Sequence, residues 1–341
     1  MFVRFRKGAM LLVDALYINY GGALGLLRYL VEKLQEKQVD FFLLADARVG
    51  DEFKELPHVE YLAASLSNRR KFYKTHRDSF SSVFCFGNVP PPIKLKVPVY
   101  TYFHNINMLT LSACRNRKQW FMFWLKRAYI KSLKKHTDEW FVQTSNTANE
   151  LIRHLGVPAE KVRLFPFYKL PPFPKSDKPR TDYIFVGEYS GSKGHDELLQ
   201  AWRILHEQGV NPVLHLTVTE EAFLRDVKDA IDNGAQIINH GFIPMEDLAQ
   251  LYMQSKATIY PSYNESLGLG LVEAMEAGCD VIASDRAFVH AICRPSEVFE
   301  PSSSRSIADA VIRYEDNRRP KTVQIVENRI DEMIAKLFCE T

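Results

Sequence analysis

The chain has 341 residues, of which 46% are hydrophobic and 25% charged, and its formal net charge is +3. This length exceeds what one typical domain core requires, and the apolar fraction is ordinary for a globular protein. No apolar run approaches the ~20 residues of a spanning helix, and five scattered cysteines show neither zinc-ligand spacing nor a disulfide framework. We therefore expect a reduced, cytoplasmic protein of two domains.

The small net charge conceals an asymmetry between the halves of the chain. Residues 1–170 contain 27 Lys/Arg and 14 Asp/Glu, whereas residues 171–341 contain 17 and 27. No acidic residue lies between Asp78 and Asp138, while ten basic residues do. The N-terminal half is therefore predicted to meet an anionic surface.

Strand-like and helical patterns alternate along the N-terminal half. Strands are predicted over residues 9–16, 40–45, 82–86, 98–103 and 139–143. This alternation indicates a parallel sheet with helices on both faces. Gly21 and Gly22 lie between the first strand and the first helix, as glycines do in many α/β domains.

His104 follows directly after the predicted strand that ends at Phe103. Ligands gather at the C-terminal ends of the strands in an open parallel sheet, so a functional side chain is expected at this position. The alternative is a histidine that only fixes its loop through backbone hydrogen bonds.

Residues 115–135 combine eight basic residues with five aromatic side chains. As a helix, the segment would place Trp120, Trp124 and Arg127 on one stripe flanked by basic residues such as Lys126. These four residues are predicted to contact a membrane surface, because such helices combine basic and interfacial aromatic side chains. The main alternative is an aromatic face packed on the protein's own sheet, and nucleic acid is not an expected partner.

The domain boundary is indicated by five prolines between Phe165 and Arg180, which predict a stiff extended linker. We expect domains over 1–170 and 182–320, with the linker over 171–181 between them. The last segment, 321–341, is predicted to contain a helix from Thr322 to Phe338. That helix either closes the second domain or crosses back onto the first.

The C-terminal half repeats the alternation of strands and helices. Strands are predicted over 182–186, 213–218, 236–238, 257–261 and 297–300. The first of them leads into a loop that contains Glu188 and Lys193.

The most informative segment is E-S-L-G-L-G-L-V-E-A-M-E-A-G-C-D-V-I-A-S-D, residues 265–285. It places Glu265 and Glu273 on either side of a turn that contains Gly268 and opens a helix. Unpaired N–H groups at a helix start attract phosphate, glycine permits close approach, and carboxylates accept hydrogen bonds from sugar hydroxyls. The pattern predicts a site for an anionic ligand that carries hydroxyl groups.

With its flanks P-S-x-x-E-S-L-G-L and V-I-A-S-D, this segment resembles the E-x7-E signature of retaining glycosyltransferases, in particular the group usually called family 4. The resemblance is strong over residues 182–315 and weak over 9–170. It implies an α/β fold of the GT-B class, with two Rossmann-like domains whose parallel sheets face a central cleft. It also implies transfer of a sugar from a nucleotide-diphosphate donor to a hydroxyl, with retention at the anomeric carbon and without a metal or other cofactor.

Site residues carried over by position fall into two groups. The implied catalytic residues are Glu265, which would orient the sugar, Lys193, which would neutralise the diphosphate, and His104, which would approach the sugar from the other domain. The implied donor-binding residues, which would contact phosphates, sugar or ribose, are Gly21, Gly22, Glu188, Ser266, Leu267, Gly268, Leu269 and Glu273. Phe242 and Ile243 correspond to the loop that flanks the base, with core packing as their alternative.

Glu188 departs from the family pattern, because an Arg usually stands at its position in G-R-x(4)-K-G. A carboxylate pointing inward would oppose stabilisation of the leaving diphosphate. Either Glu188 turns outward, or a cation such as Arg286 replaces the Arg, or activity is reduced.

The sequence thus predicts a glycosyltransferase of bacterial surface polysaccharide (O-antigen or capsule) synthesis, with a glycan or lipid-linked acceptor. It would act at the inner face of the cytoplasmic membrane. Two alternatives remain open. One is a non-catalytic nucleotide-sugar-binding subunit of a polysaccharide assembly complex, and the other is a sugar-nucleotide epimerase on the same fold.

Overall fold

Two runs of alternating strands and helices make up the chain in its computed structural model, which describes residues 10–111, 116–174, 179–316 and 320–338. The first unit holds the described residues up to 169 and those from 327 onwards, and the second holds the described residues of 170–326. Among the described residues, no helix combines the length and the apolar character needed to span a bilayer.

The first unit is built on a parallel sheet of seven strands in the order β3-β2-β1-β4-β5-β6-β7. Its elements are β1 (Leu11–Asp14), α1 (Gly21–Glu36), β2 (Phe41–Asp46), β3 (Val59–Leu62), α2 (Leu66–Thr75), β4 (Ser82–Cys85), β5 (Val99–Phe103), α3 (Asn107–Thr110), α4 (Arg117–Leu133), β6 (Glu139–Val142), α5 (Ser145–Leu155) and β7 (Val162–Leu164). The central strands β1, β4 and β5 are completely buried. Parallel strands that are covered on both faces are predominantly apolar in sequence, as these strands are.

The second unit contains a parallel sheet of six strands in the order β10-β9-β8-β11-β12-β14. Its elements are β8 (Asp182–Phe185), α6 (His195–Glu207), β9 (Leu214–Leu216), α7 (Glu221–Asp232), β10 (Ile237–Asn239), α8 (Met245–Gln254), β11 (Ser255–Tyr260), α9 (Leu269–Glu276), β12 (Asp280–Ser284), α10 (Ala287–His290), β13 (Cys293–Arg294), β14 (Glu297–Phe299), α11 (Ser304–Glu315) and β15 (Val323–Gln324). Strands β13 and β15 form a separate antiparallel pair.

The predicted helix from Thr322 to Phe338 is wrong in its first part. Residues 323–324 form strand β15, and the last helix, α12 (Ile330–Phe338), begins later. Asn328 Oδ1 accepts a hydrogen bond from the N–H of Ile330 (3.2 Å), a local turn that delays the start of the helix.

Helix α12 belongs to the first unit. Its apolar face, Ile330, Met333, Ile334 and Leu337, is buried. An ion pair joins Asp331 to Lys37 at 2.8 Å, close to the end of α1. Helix α12 therefore completes the core of the N-terminal unit.

Both sheets reverse their strand order at one point, between β1 and β4 in the first sheet and between β8 and β11 in the second. Ligands of open parallel sheets bind outside the carboxyl ends of the strands at such a point. The loops that follow these four strands are therefore where functional side chains are expected in each unit.

Candidate functional site

Two of the predicted catalytic residues meet in the second unit. Lys193 ends the loop after β8, Glu265 lies in the loop after β11, and Lys193 Nζ is 2.9 Å from Glu265 Oε1. Both side chains are partly buried. The pair thus stands at the point where the strand order of the second sheet reverses.

Backbone contacts hold these two loops together. The N–H of Tyr263 donates to the carbonyl of Ser192 (2.8 Å). Gly194 has a φ of +65°, and a Cβ at this position would lie 2.5 Å from the carbonyl oxygen of Pro261. Only glycine permits both this conformation and this approach, so the loop that carries Lys193 is tied to the loop that carries Glu265.

The environment of Lys193 keeps its side chain charged. Burial alone would lower the pKa of the ammonium group, but the neighbouring Tyr260 and Glu265 side chains outweigh burial and raise the pKa above its ordinary value. Nζ lies 5.9 Å from the centre of the Tyr260 ring. The loop therefore presents a fixed positive charge at neutral pH.

The start of helix α9 lies directly after Glu265. Gly268 is its N-cap residue, with φ 64° and ψ 64° and no side-chain cap. The N–H groups of Leu271 and Val272 donate to the carbonyl of Gly268, which leaves those of Leu269 and Gly270 to attract an anion. Leu267 is buried, whereas Ser266 is partly exposed.

Glu273 lies about one helical turn after Leu269 on α9, and protein atoms enclose its carboxyl group. The hydroxyl of Tyr252 donates to Glu273 Oε2 at 3.0 Å. Burial raises the pKa of Glu273 to about 7, and the hydrogen bond from Tyr252 offsets only part of this effect. At neutral pH this carboxyl group therefore exchanges between its protonated and ionised forms.

The side chain of Glu188 turns outward, so it is not placed to repel an anion. It is exposed, and its Oε2 accepts a hydrogen bond from the hydroxyl of Thr219 at 2.9 Å. Arg286, the predicted replacement cation, is engaged by both carboxylate oxygens of Glu300 at 3.0 and 2.6 Å. Of the three accounts of the departure at Glu188, the geometry favours the outward-turned carboxylate.

Phe242 lies just after β10, and its side chain is 84% exposed. The alternative of core packing is therefore wrong for Phe242, whereas its neighbour Ile243 is partly buried.

In the first unit, His104 follows β5 and is tightly held. Its backbone N–H donates to Asn88 Oδ1 (2.7 Å), and its ring Nε2 lies 3.0 Å from the carbonyl oxygen of Phe86. Burial lowers the pKa of His104 to about 4, although the hydrogen bond to Phe86 acts in the opposite direction. The imidazole is therefore neutral at physiological pH.

The glycine pair opens helix α1. Gly21 has a φ of +64°, and a Cβ at this position would meet no atom within 4 Å. Gly21 and Gly22 are both exposed. Backbone conformation, and not a close neighbour, explains the glycine at position 21.

Helix α4 exposes its aromatic side chains. Trp120 and Trp124 are 47% and 40% exposed, and the ring of Phe121 stacks on Trp124 with 5.9 Å between centroids. The alternative in which the aromatic face packs on the protein's own sheet is therefore wrong for both tryptophans. Lys126 is exposed as well, whereas Arg127 donates to the carbonyl of Leu109 (2.8 Å) and is partly engaged by the fold.

Four residues that shape these sites were not predicted as site residues. They are Tyr252 beside Glu273, Tyr260 beside Lys193, Thr219 beside Glu188 and Asn88 beside His104. Tyr260 directly precedes the P-S-x-x-E motif and could have been found from it. The other three are distant in sequence from their partners, and no sequence pattern joins them.

Comparison with known proteins finds a family model that matches the second unit of the chain. The family model described as "Glycosyl transferases group 1" matches residues 169–331. The serotype-specific mannosyltransferase WbdA of Escherichia coli is 28% identical over 152 residues, which are 42% of this chain and 19% of that protein. The chain thus spans about a fifth of the length of this curated relative.

Two solved structures show the fold. The lipopolysaccharide outer core galactosyltransferase WaaB, in its apo form, is 12% identical with a TM-score of 0.66, covering 97% of this chain and 94% of that one. HepE of Anabaena, in complex with UDP and glucose, is 14% identical with a TM-score of 0.66, covering 97% and 95%. Both likenesses support the GT-B class that the sequence predicted, with its two Rossmann-like domains. Residues 169–331, just under half of the chain, thus match the glycosyl transferases of group 1.

Proposed function

We propose that the protein is a retaining glycosyltransferase, which moves a sugar from a nucleotide-diphosphate donor to a hydroxyl of a glycan or lipid-linked acceptor. The observation that carries this proposal is the Lys193–Glu265 pair beside the start of α9. A fixed cation, a carboxylate and unpaired backbone N–H groups there converge at the strand-order reversal of one Rossmann-like sheet.

The leaving diphosphate is the group that requires most stabilisation. Negative charge accumulates on it as the bond to the anomeric carbon breaks. Lys193 and the first N–H groups of α9 would neutralise this charge, with Lys193 exchanging Glu265 for a phosphate oxygen. The proposal therefore requires no metal ion.

The carboxylates would recognise hydroxyl groups. Once Lys193 turns to the diphosphate, Glu265 is available to accept a hydrogen bond from the transferred sugar, and Glu273 would bind the ribose. His104 would bind a hydroxyl group of a sugar substrate. Attack from the side of the departing phosphate, which would take the acceptor's proton, accounts for retention.

The relatives suggest which donors to test first. WbdA is named a mannosyltransferase, WaaB a galactosyltransferase of the lipopolysaccharide outer core, and HepE was crystallised with UDP and glucose. We therefore propose a hexose as the transferred sugar and bacterial surface polysaccharide as the product class.

The test is turnover with retention. The full chain is incubated with GDP-mannose or UDP-hexoses and a lipid-linked glycan fraction, and the release of nucleoside diphosphate and the anomeric configuration of the product are measured. Transfer with the donor's configuration supports the proposal, and an inverted product contradicts it. Isomerised donor without acceptor would favour the epimerase, and tight binding without turnover the non-catalytic subunit.

Helix α4 supports a peripheral position at the inner face of the cytoplasmic membrane. Exposed aromatic and basic side chains on one helix suit an anionic lipid surface. Sedimentation with anionic vesicles is expected to fall strongly in Trp120→Ser/Trp124→Ser. Phe242→Ser, which removes an exposed aromatic ring from the second unit, serves as the control. Equal sedimentation of all three proteins would contradict the assignment of α4.

A further inference from the structure

The loop of residues 86–90, which follows β4, surrounds the ring of His104 on one side. The ring of Phe86 lies nearly parallel to the imidazole, with 5.0 Å between centroids and an interplanar angle of 19°. Asn88 is buried, and its Oδ1 accepts the backbone N–H of His104 at 2.7 Å. The loop thus contacts both the backbone and the ring of the same histidine.

These contacts define which ring nitrogen carries the proton. The carbonyl oxygen of Phe86 lies 3.0 Å from Nε2 of His104, and a carbonyl can only accept. Asn88 Oδ1 already accepts the backbone N–H of His104, so the amide Nδ2 of Asn88 is the atom that lies 3.3 Å from Nε2 of the ring. An amide nitrogen cannot accept a hydrogen bond from Nε2. The shorter contact therefore selects the tautomer protonated at Nε2.

The other ring nitrogen, Nδ1, is then an acceptor. In the described part of the chain, no hydrogen bond to Nδ1 of His104 is formed. Burial keeps the ring neutral, because it lowers the pKa of His104 to about 4. A neutral ring with a lone pair on Nδ1 suits a ligand that donates a hydroxyl proton, such as a sugar.

The 86–90 loop is itself fixed by a buried ion pair. Arg69 donates to the carbonyl oxygens of Val89 and Pro90 at 2.8 Å each, and its Nε donates to Asp14 Oδ2 at 2.9 Å. Asp14 and Arg69 are both almost completely buried. The position of Asn88 is therefore fixed by the fold independently of His104.

The backbone at Asn88 explains the residue type. Its φ is +66°, in the left-handed region, where asparagine is tolerated better than other residues with a side chain. Only an amide or carboxylate side chain of this length supplies the acceptor for the His104 N–H from this conformation.

We propose that Asn88 is a positioning residue, which holds the backbone of His104 so that Nε2 of the ring donates to the Phe86 carbonyl and Nδ1 accepts a hydrogen bond from a hydroxyl of the sugar substrate. The inference rests on the proposed function of His104 in sugar binding. Asn88 itself would not contact the substrate.

The first test requires no activity. Long-range 1H–15N NMR of the full chain with 15N-labelled histidine reads the tautomer of His104, which is identified by comparison with His104→Ala. We expect a single neutral tautomer protonated at Nε2. An Nδ1-protonated ring would overturn the proposal, whether or not the protein transfers sugar.

The second test is a double-mutant cycle on donor turnover. Asn88→Gly keeps the left-handed backbone accessible and removes the amide; it is expected to lower kcat/KM on the order of 10- to 100-fold. In a His104→Ala background the same change is expected to have less than about a twofold effect, since there is no ring left to position.

Gln38→Gly is the control, because Gln38 is an exposed residue of the same unit with a φ of 54°. Equal losses from Asn88→Gly in both backgrounds would show a merely structural role, and an unchanged kcat/KM in the single variant would also overturn the proposal. Absence of turnover in the wild type would instead refute the proposed function, and the NMR result would still decide the tautomer.

Discussion

Replacing Glu273 by glutamine is expected to stabilise the protein at alkaline pH, although it removes a proposed donor ligand. The carboxyl group of Glu273 is enclosed on α9, and the Tyr252 hydroxyl donates to it at 3.0 Å. Burial raises its pKa from 4.5 to about 7. Ionising this group in the folded protein is therefore unfavourable.

The sign and size of the effect follow from proton linkage. Because the folded-state pKa is the higher one, the stability associated with the protonated group is complete below about pH 4.5 and is lost as the pH rises to about 7. A gap of about 2.5 pKa units, at about 1.4 kcal/mol per unit, corresponds to ~3 kcal/mol. Glutamine is uncharged at every pH, and its carbonyl oxygen can still accept from Tyr252.

Urea unfolding measures this difference. Relative to wild type, Glu273→Gln is expected to gain ~3 kcal/mol in free energy of unfolding at about pH 8.5 and only ~1 kcal/mol at about pH 5. Glu207→Gln, which changes an exposed carboxylate on α6, should show no comparable pH-dependent gain. A Glu273→Gln effect that is the same at both pH values would refute the reasoning.

Three further substitutions test the donor site. Lys193→Met is expected to lower kcat by about 10²–10³-fold, because it removes the cation for the leaving diphosphate, whereas Lys193→Arg should retain part of the activity. Steady-state kinetics measures both variants, and an unchanged kcat in Lys193→Met would contradict the assignment. Gly194→Ala is expected to lower the free energy of unfolding, measured in urea, by at least ~3 kcal/mol, because its Cβ would clash with Pro261. Gly209 also has a positive φ, +77°, but a Cβ there would meet no atom within 4 Å, so Gly209→Ala should lower it by only about 1–2 kcal/mol. Glu188→Arg is expected to tighten donor binding by about tenfold in calorimetry, because it replaces the outward-turned carboxylate with a longer cationic side chain that can reach the phosphates. Unchanged binding would show that a side chain at this position does not reach them.

Much of the fold could be predicted from apolar runs, but the two edge strands of the first sheet could not. Central strands such as β1 and β5 are buried on both faces, so their sequences are predominantly apolar. The edge strands β3 (V-E-Y-L) and β7 (V-R-L) are partly exposed and carry charged residues. Their sequences therefore lack the pattern on which the prediction depends.

The part of the site formed by Lys193 and Glu265 could be predicted from sequence motifs. The meeting of Lys193 with Glu265 follows from two strand–loop–helix units of the same sheet, each recognisable in sequence. The partner of Glu273 depends on how α8 packs beside α9, and the exposure of Trp124 depends on which face of α4 the first unit covers. Both are set by tertiary packing, which the spacing of residues along one helix does not determine.

Calorimetric titration of the full chain with UDP-, GDP-, ADP- and dTDP-sugars, with Glu273→Ala as the matched variant, decides whether the second unit holds a donor site. We expect one class of nucleotide sugar to bind to the wild type and to lose its binding in Glu273→Ala. No binding across the panel, or binding that Glu273→Ala leaves unchanged, would contradict the assignment of Lys193, Glu265 and Glu273 to that site.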